Sequence, residues 1–254
     1  MAYSALKLIK ETLTGHQGWK PVWRKATPKK EYDIVIVGAG GHGLATAYYL
    51  ASEYKTAKVA VLEKGWVGGG NVGRNTTIVR SNYLLHENER FYEFSMKLWE
   101  RFEEDLNYNA MVSQRGIINV FHNDAQRDAY IQRGNTMLLN GADAILLDET
   151  ELRKKCPFLN FDDARFPIRG GLWQPRAGTV RHDAVAWGYA RAADRLGVDI
   201  IENCEVQGFD IQNNICSAVN TSRGKIKTKK IGVAVAGSSG SVMAKAGIRL
   251  PIES

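Results

Sequence analysis

A run of glycines near the start of the chain is the first group able to do chemistry. Gly38, Gly40 and Gly43 stand in "GAGGHG", with Gly41 and His42 between the last two. In this spacing the first glycine makes a tight turn. The second lets backbone amides approach a pyrophosphate, and the third lets a helix pack close to its strand. "IVIV" precedes the turn and "LATAYYLA" follows it, so the order is strand, turn, helix. The helix N-terminus then faces the anion. About twenty residues on, "VAVLEKG" ends its strand in Glu63, an acid placed to accept hydrogen bonds from a ribose 2′-hydroxyl. A free carboxylate there disfavours a 2′-phosphate. With its parts in this order, the segment reads as a dinucleotide site.

The turn does not separate a nicotinamide from a flavin dinucleotide. "GGGNVGRNT" follows the second strand and carries Asn71, Arg74, Asn75 and Thr76 behind a glycine run. Such a loop suits a flavin ring and its phosphates; the other reading is a surface Ω-loop. "KKIGVAVAGSSGS" is expected to give a late buried strand ending in small residues, where backbone approaches a cofactor again. Arg80, in "TIVRSNY", is the candidate catalytic-site cation. It reads either as a bidentate anchor for a substrate carboxylate or as a structural ion-pair residue. His182, in "RHDAV", stands at the mouth of a helix. Local preferences make it a capping or surface residue. Asp183 is the better N-cap by type, and its charge suits a helix start. His42 reads as a backbone contact rather than a base. His16, His86 and His122 read as surface or satisfied core residues, and Trp173, Trp187 and Tyr189 as core.

The remaining pattern supplies the elements that hold these residues. Residues 1–30 form a basic arm, in which Ala5, Leu6, Ile9 and Leu13 line one face of a short helix able to pack on a partner subunit. A helix is expected from about Asn88 to Leu106, with Phe91, Phe94, Leu98 and Phe102 on one face. "GIINVFHN" reads as a strand and "AQRDAYIQRGNTMLLNGA" as a helix closed by Gly141. "AILLDETELRKKCPFL" reads as a strand and a helix capped near Asp148 and stopped by Pro157. A strand-rich run follows the helix at His182 or Asp183. The expected fold is α/β: a Rossmann-like domain over about 31–85 and 180–250, interrupted by an α+β lobe over about 86–179. The ending, "RLPIES", brings no closing helix or further lobe, and the domain reads as incomplete at its C-terminus.

Composition sets limits. The 254 residues are 44% hydrophobic, enough for a core, and no apolar run reaches the ~18 residues of a membrane span. Net charge is +7 but spread out, densest at Lys7, Lys10, Lys20, Arg24, Lys25, Lys29 and Lys30. With no nucleic-acid motif, this reads mainly as solvated surface. Cys156, Cys204 and Cys216 are too scattered for a zinc site or redox pair and read as reduced thiols in a cytoplasm. No metal is expected.

Longer stretches carry a resemblance: "YDIVIVGAGGHGLATAYYLA", "VAVLEKGWVGGGNVGRNTTIVRSNYL", "VSQRGIINV", "WQPRAGTVRHDAVAWGYARAAD" and "IENCEVQGF". From about residue 31 the chain resembles the beta subunits of heterotetrameric sarcosine oxidase, within the D-amino-acid-oxidase-like (GR2) flavoproteins. The resemblance implies a Rossmann-like FAD-binding domain with an inserted α+β substrate lobe. It implies non-covalent FAD at Gly41, His42, Glu63, Asn71, Thr76, Ile78 and the backbone of Val206, and covalent FMN on a ring nitrogen of His182. The implied reaction is oxidative demethylation of sarcosine to glycine. Hydride goes to FAD, electrons to FMN and then to oxygen, giving peroxide. The one-carbon unit passes to tetrahydrofolate or leaves as formaldehyde. The implied partners are alpha, gamma and delta subunits, without nucleic acid or membrane. A single-flavin oxidase or dehydrogenase of another secondary amine or amino acid, or a non-catalytic truncated flavin-binding subunit fragment, are the alternatives.

Overall fold

Short apolar runs bounded by glycine or polar turns become strands, and longer amphipathic runs become helices. A computed structural model describes residues 4–15, 17 and 21–252; His16 and Lys20 lie outside the described residues. The chain opens with α1 (Ala5–Leu13), β1 (Glu31–Val37), α2 (Gly41–Glu53) and β2 (Val59–Leu62). Then come β3 (Ile78–Val79), α3 (His86–Leu106), β4 (Ile117–Phe121), α4 (Asp124–Leu139), β5 (Ile145–Asp148), α5 (Glu149–Lys155), β6 (Gly170–Gln174) and β7 (Gly178–Thr179). The last elements are α6 (His182–Arg195), β8 (Asp199–Ile201), β9 (Val206–Gln212), β10 (Ile215–Thr221), β11 (Gly224–Val233) and α7 (Ser239–Ala244). Two compact units divide the chain, residues 1–72 with 189–254, and residues 73–188.

The first unit is built on a six-stranded sheet in the order β8-β2-β1-β11-β10-β9. β1 runs parallel to β2 and β11, and β2 parallel to β8, while β10 is antiparallel to both its neighbours. Parallel neighbours need a crossover, and α2 supplies the one from β1 to β2. All of β2, and Val35 to Val37 of β1, are buried, as a sheet covered on both faces requires. Tyr32, Val35, Leu62, Ile201, Val219 and Ile226 belong to one core cluster. The late strand expected to be buried from Lys229 is only partly so: in the end of β11, Lys229, Lys230 and Val233 are exposed, and Ile231 and Gly232 are half-buried.

The basic arm is partly structural. Lys29 Nζ lies 2.6 Å from buried Asp199, and Arg24 Nε lies 2.8 Å from Asp194. Tyr32 donates its hydroxyl to Asp199 at 3.0 Å, and burial pushes that phenol up to about 12. α1 forms as expected, but Leu6, Ile9 and Leu13 are exposed, and its buried residue is Glu11, paired with Lys7 at 2.6 Å.

The second unit holds the antiparallel sheet β4-β6-β5 and the two-stranded ladder β3-β7. The start of α5 is a capping box between Asp148 and Glu151, and Gly141 closes α4 with φ +84°. Trp173, on strand β6, packs against a core cluster and Tyr189 is buried, but Trp187 is exposed rather than core.

Two expectations about helices fail. Phe91 and Phe94 do not face a core; they are 66% and 62% exposed. The buried face of α3 is Glu89, Glu93, Met96, Phe102 and Leu106. Arg176, distant in sequence, pairs with Glu93, while Glu89 accepts from the nearby Tyr83 amide. Asp183 is not an N-cap either, because α6 already includes His182. Asp183 sits in the first turn, and Arg181 grips its carboxylate through Nε at 2.8 Å and Nη2 at 3.0 Å. That pairing lowers the Asp183 carboxyl below its ordinary range. Among the described residues no helix is long and apolar enough to cross a membrane, and Cys156, Cys204 and Cys216 are free.

Gly38 is the most constrained point of the first unit, with φ +104° and no space for a Cβ beside the Ala234 carbonyl. Gly38→Ala is therefore expected to destabilise the chain by about 2–4 kcal/mol. Urea unfolding checks this as a lowered midpoint at unchanged slope.

Candidate functional site

The glycine turn has the form a dinucleotide cradle needs. A Cβ on Gly43 would collide with the Gly38 carbonyl, so α2 starts hard against the end of β1. Ala234 N–H donates to Val37 O at 2.9 Å, which carries the end of β11 to the same place. A Cβ on Gly40, in contrast, would meet nothing within 4 Å. The first amide of α2 to bond back along the chain is Leu44 N–H, to Gly40 O at 3.0 Å. The amides of Gly41, His42 and Gly43 thus precede the helical ladder and carry its positive end. His42 is exposed, and its carbonyl accepts from Thr46 at 2.8 Å.

Glu63 follows the last residue of β2 rather than ending the strand. Its amide donates to Ile201 O, and its carbonyl accepts from Cys204 N–H at 2.8 Å. Its carboxylate accepts from Ala39 N–H at 2.9 Å and from Gly65 N–H at 2.9 Å. Turn and acid are thereby locked together, with lone pairs left on the carboxylate for a hydroxyl donor. Asn71 begins a 3₁₀ turn, Asn71–Arg74, and its side chain is exposed. Val206, buried at the start of β9, accepts at its carbonyl from Lys245 Nζ at 2.8 Å. The first unit therefore gathers Gly38, Gly40, Gly41, His42, Gly43 and Glu63 into one cradle.

The second unit carries the other candidates. Thr76 and Ile78 are exposed, as is Arg74. Ile78 pairs with Thr179 across β3-β7, and Val180 N–H donates to Thr77 O at 2.9 Å. This ladder sets Thr76–Ile78 beside the segment that leads into His182, a neighbourhood their sequence separation hides. His182 is half-buried, and its Nδ1 is buried with no hydrogen-bond partner among the described residues.

Arg80 forms no ion pair among the described residues. Its Nη1 donates to Asn82 Oδ1 at 2.7 Å, and its guanidinium lies over the Tyr83 ring, 5.2 Å from the centroid. A guanidinium so placed keeps donors for a carboxylate. Behind it lies a buried polar network that sequence reasoning missed. Ser81 N–H donates to Gln174 Oε1 at 3.1 Å, and Ser81 Oγ donates to Glu93 at 3.0 Å. Arg176 meets Glu93 at 2.7 Å and Glu100 at 2.8 Å. These contacts lower the Glu100 carboxyl and raise the Arg176 guanidinium. Glu89 is 0% exposed. One carboxyl oxygen accepts from Tyr83 N–H at 2.8 Å, and the other has no partner among the described residues. Burial, opposed by the Tyr83 bond and reinforced by nearby Glu93 and Asp143, pushes this acid up to about 7. The available signal was the spacing of Glu89, Glu93 and Met96 along one helical face.

A family model described as FAD dependent oxidoreductase matches residues 33–254. The chain belongs to that family. Its α/β fold agrees with that membership. A protein named sarcosine oxidase subunit beta from Rhizobium meliloti (strain 1021) is 62% identical over 254 residues, covering 100% of this chain and 61% of that protein. A protein of the same name from Arthrobacter sp is 49% identical over 92% of this chain and 58% of its own length. The chain thus spans about three-fifths of these curated relatives. Among solved structures, L-proline dehydrogenase from P. horikoshii superposes with a TM-score of 0.82 at 25% identity, over 89% of this chain and 58% of that one. The cradle fits the FAD of the family, because the space over Gly40 is open and donors and acid converge on it.

Between its ordinary value of 4.5 and about 7, Glu89 keeps a proton in the fold that it has lost in the unfolded chain. Its contribution to stability is full below 4.5 and disappears as pH rises through about 7. Thermal melts from pH 5 to 8 are expected to show a falling midpoint, with a shallower fall in Glu89→Gln. Parallel curves for the two proteins would contradict this.

Proposed function

We propose that this chain acts as the beta-type subunit of a multi-subunit sarcosine oxidase, converting sarcosine to glycine. The observation that carries the reading is 62% identity across the whole chain to a protein named sarcosine oxidase subunit beta. When bound, FAD supplies the two-electron acceptor for the N-methyl group, and FMN the relay to oxygen. The Gly38–Gly43 turn and Glu63 hold FAD without a covalent bond, with Asn71, Arg74, Thr76, Ile78 and Val206 as further contacts.

Arg80 binds the sarcosine carboxylate. It has no acidic partner in the fold, and its guanidinium is already oriented by Asn82 and Tyr83. His182 carries FMN. Its Nδ1 is buried, which leaves Nε2 for the covalent bond, and the Arg181 and Asp183 side chains on either side of it pair with each other. The further subunits are of alpha, gamma and delta type. The free cysteines support a reducing, cytoplasmic setting.

Co-production with the partner subunits tests both residues. Denaturing electrophoresis is expected to leave flavin fluorescence on this chain, and His182→Ala to remove it while extractable FAD remains. Fluorescence that survives His182→Ala sinks the attachment. Arg80→Lys is expected to raise KM for sarcosine about 10- to 100-fold; an unchanged KM excludes Arg80 as the anchor.

A further inference from the structure

Three successive residues after Arg80 are each fixed from a different direction. Ser81 is held by Gln174 and Glu93, as above, and Gln174 Nε2 also donates to Ser81 Oγ at 2.7 Å. Asn82 is 1% exposed and donates its amide to Asn119. Tyr83 N–H is shared between Ser81 O at 3.1 Å and Glu89 at 2.8 Å, which closes a tight turn. The Tyr83 ring then stacks on Tyr92 with centroids 3.9 Å apart and planes at 17°. The upper side of this stack is where Arg80 rests.

Glu89 has no contact with Arg80 itself. It bonds the one backbone amide whose position sets the Tyr83 ring, and it does so from a fully buried place with one oxygen left without a partner. A buried acid in that condition is costly, and an apolar residue would serve the core of α3 better. The two acids one turn apart on α3, Glu89 and Glu93, hold the two ends of the Ser81–Tyr83 turn.

We propose that Glu89 is a positioning residue for carboxylate recognition: through Tyr83 it fixes the direction in which the Arg80 guanidinium points. This rests on reading Arg80 as the carboxylate anchor. Glu89 touches neither substrate nor cofactor, and its effect falls on binding rather than on the oxidation step. A guanidinium that wanders by about an ångström loses bidentate geometry, and with it orientation of the bound acid.

The test uses the assembled holoenzyme. Acetate binding is read from the absorbance of the bound flavin, and KM and kcat are measured with sarcosine. Glu89→Ala is expected to weaken acetate binding and raise KM together, each about 5- to 10-fold, with kcat within about 2-fold of wild type. Glu89→Gln keeps an acceptor for Tyr83 N–H and is expected to restore both values. Should Glu89→Ala fail to fold, Tyr92→Leu removes the other support of the Tyr83 ring and is expected to show the same split. Unchanged acetate binding and KM in Glu89→Ala, or in Tyr92→Leu if only that folds, overturn the inference. Equal losses in Glu89→Ala and Glu89→Gln overturn it as well. Wild type that binds acetate but leaves sarcosine unoxidised sinks the sarcosine reading alone, and the acetate ratios still decide the role of Glu89. Wild type that binds no carboxylate overturns both.

Discussion

A backbone crossing with no room for side chains governs the first unit. At Gly38 the end of β1 passes so near Ala234 that a single methyl group does not fit, and Gly43 brings α2 equally near Gly38. β1, α2 and the end of β11 can meet only because these positions are bare. The meeting aims the first amides of α2 into the open space above Gly40, and the Glu63 carboxylate joins the same turn through Ala39. The anion binding proposed for this turn would rest on backbone geometry and need no basic side chain.

The second unit solves a different problem, that of holding a cation in a fixed direction without neutralising it. An acid beside Arg80 would fix it but would occupy the donors that the proposed reading assigns to a substrate carboxylate. The structure instead uses an amide oxygen and an aromatic face, from Asn82 and Tyr83, and places the acids one layer behind. Arg176 offsets part of that buried negative charge by pairing with Glu93 and Glu100. Glu89 is fully buried, and burial, only partly opposed by its single hydrogen bond from Tyr83, keeps its proton on toward neutral pH.

Features set by local sequence were legible before the structure. The strand, turn and helix around Gly38, the capping box at Asp148 and the left-handed Gly141 each depend on a few neighbouring residues. Features set by distant pairing were not. Phe91 and Phe94 follow the spacing of a buried face, yet Arg176, far along the chain, draws in Glu93, and Glu89 turns inward with it to meet the Tyr83 amide. The same holds at His182, where β7 and β3 lie side by side although a hundred residues of chain, roughly, separate them. Asp183 stands one position inside the helix, where Arg181 grips its carboxylate from outside and Ala184 N–H donates to it at 2.8 Å.

The most direct measurement is the FAD affinity of Gly40→Ala. In the protein alone this methyl group meets nothing within 4 Å, and Gly40 has φ −80°, which alanine adopts readily. The expected result is an unchanged melting temperature without FAD and an affinity lower by at least about 10-fold, because the methyl group takes the space of the pyrophosphate. FAD binding as tight as wild type would contradict the placement of the cofactor over the Gly38–Gly43 turn.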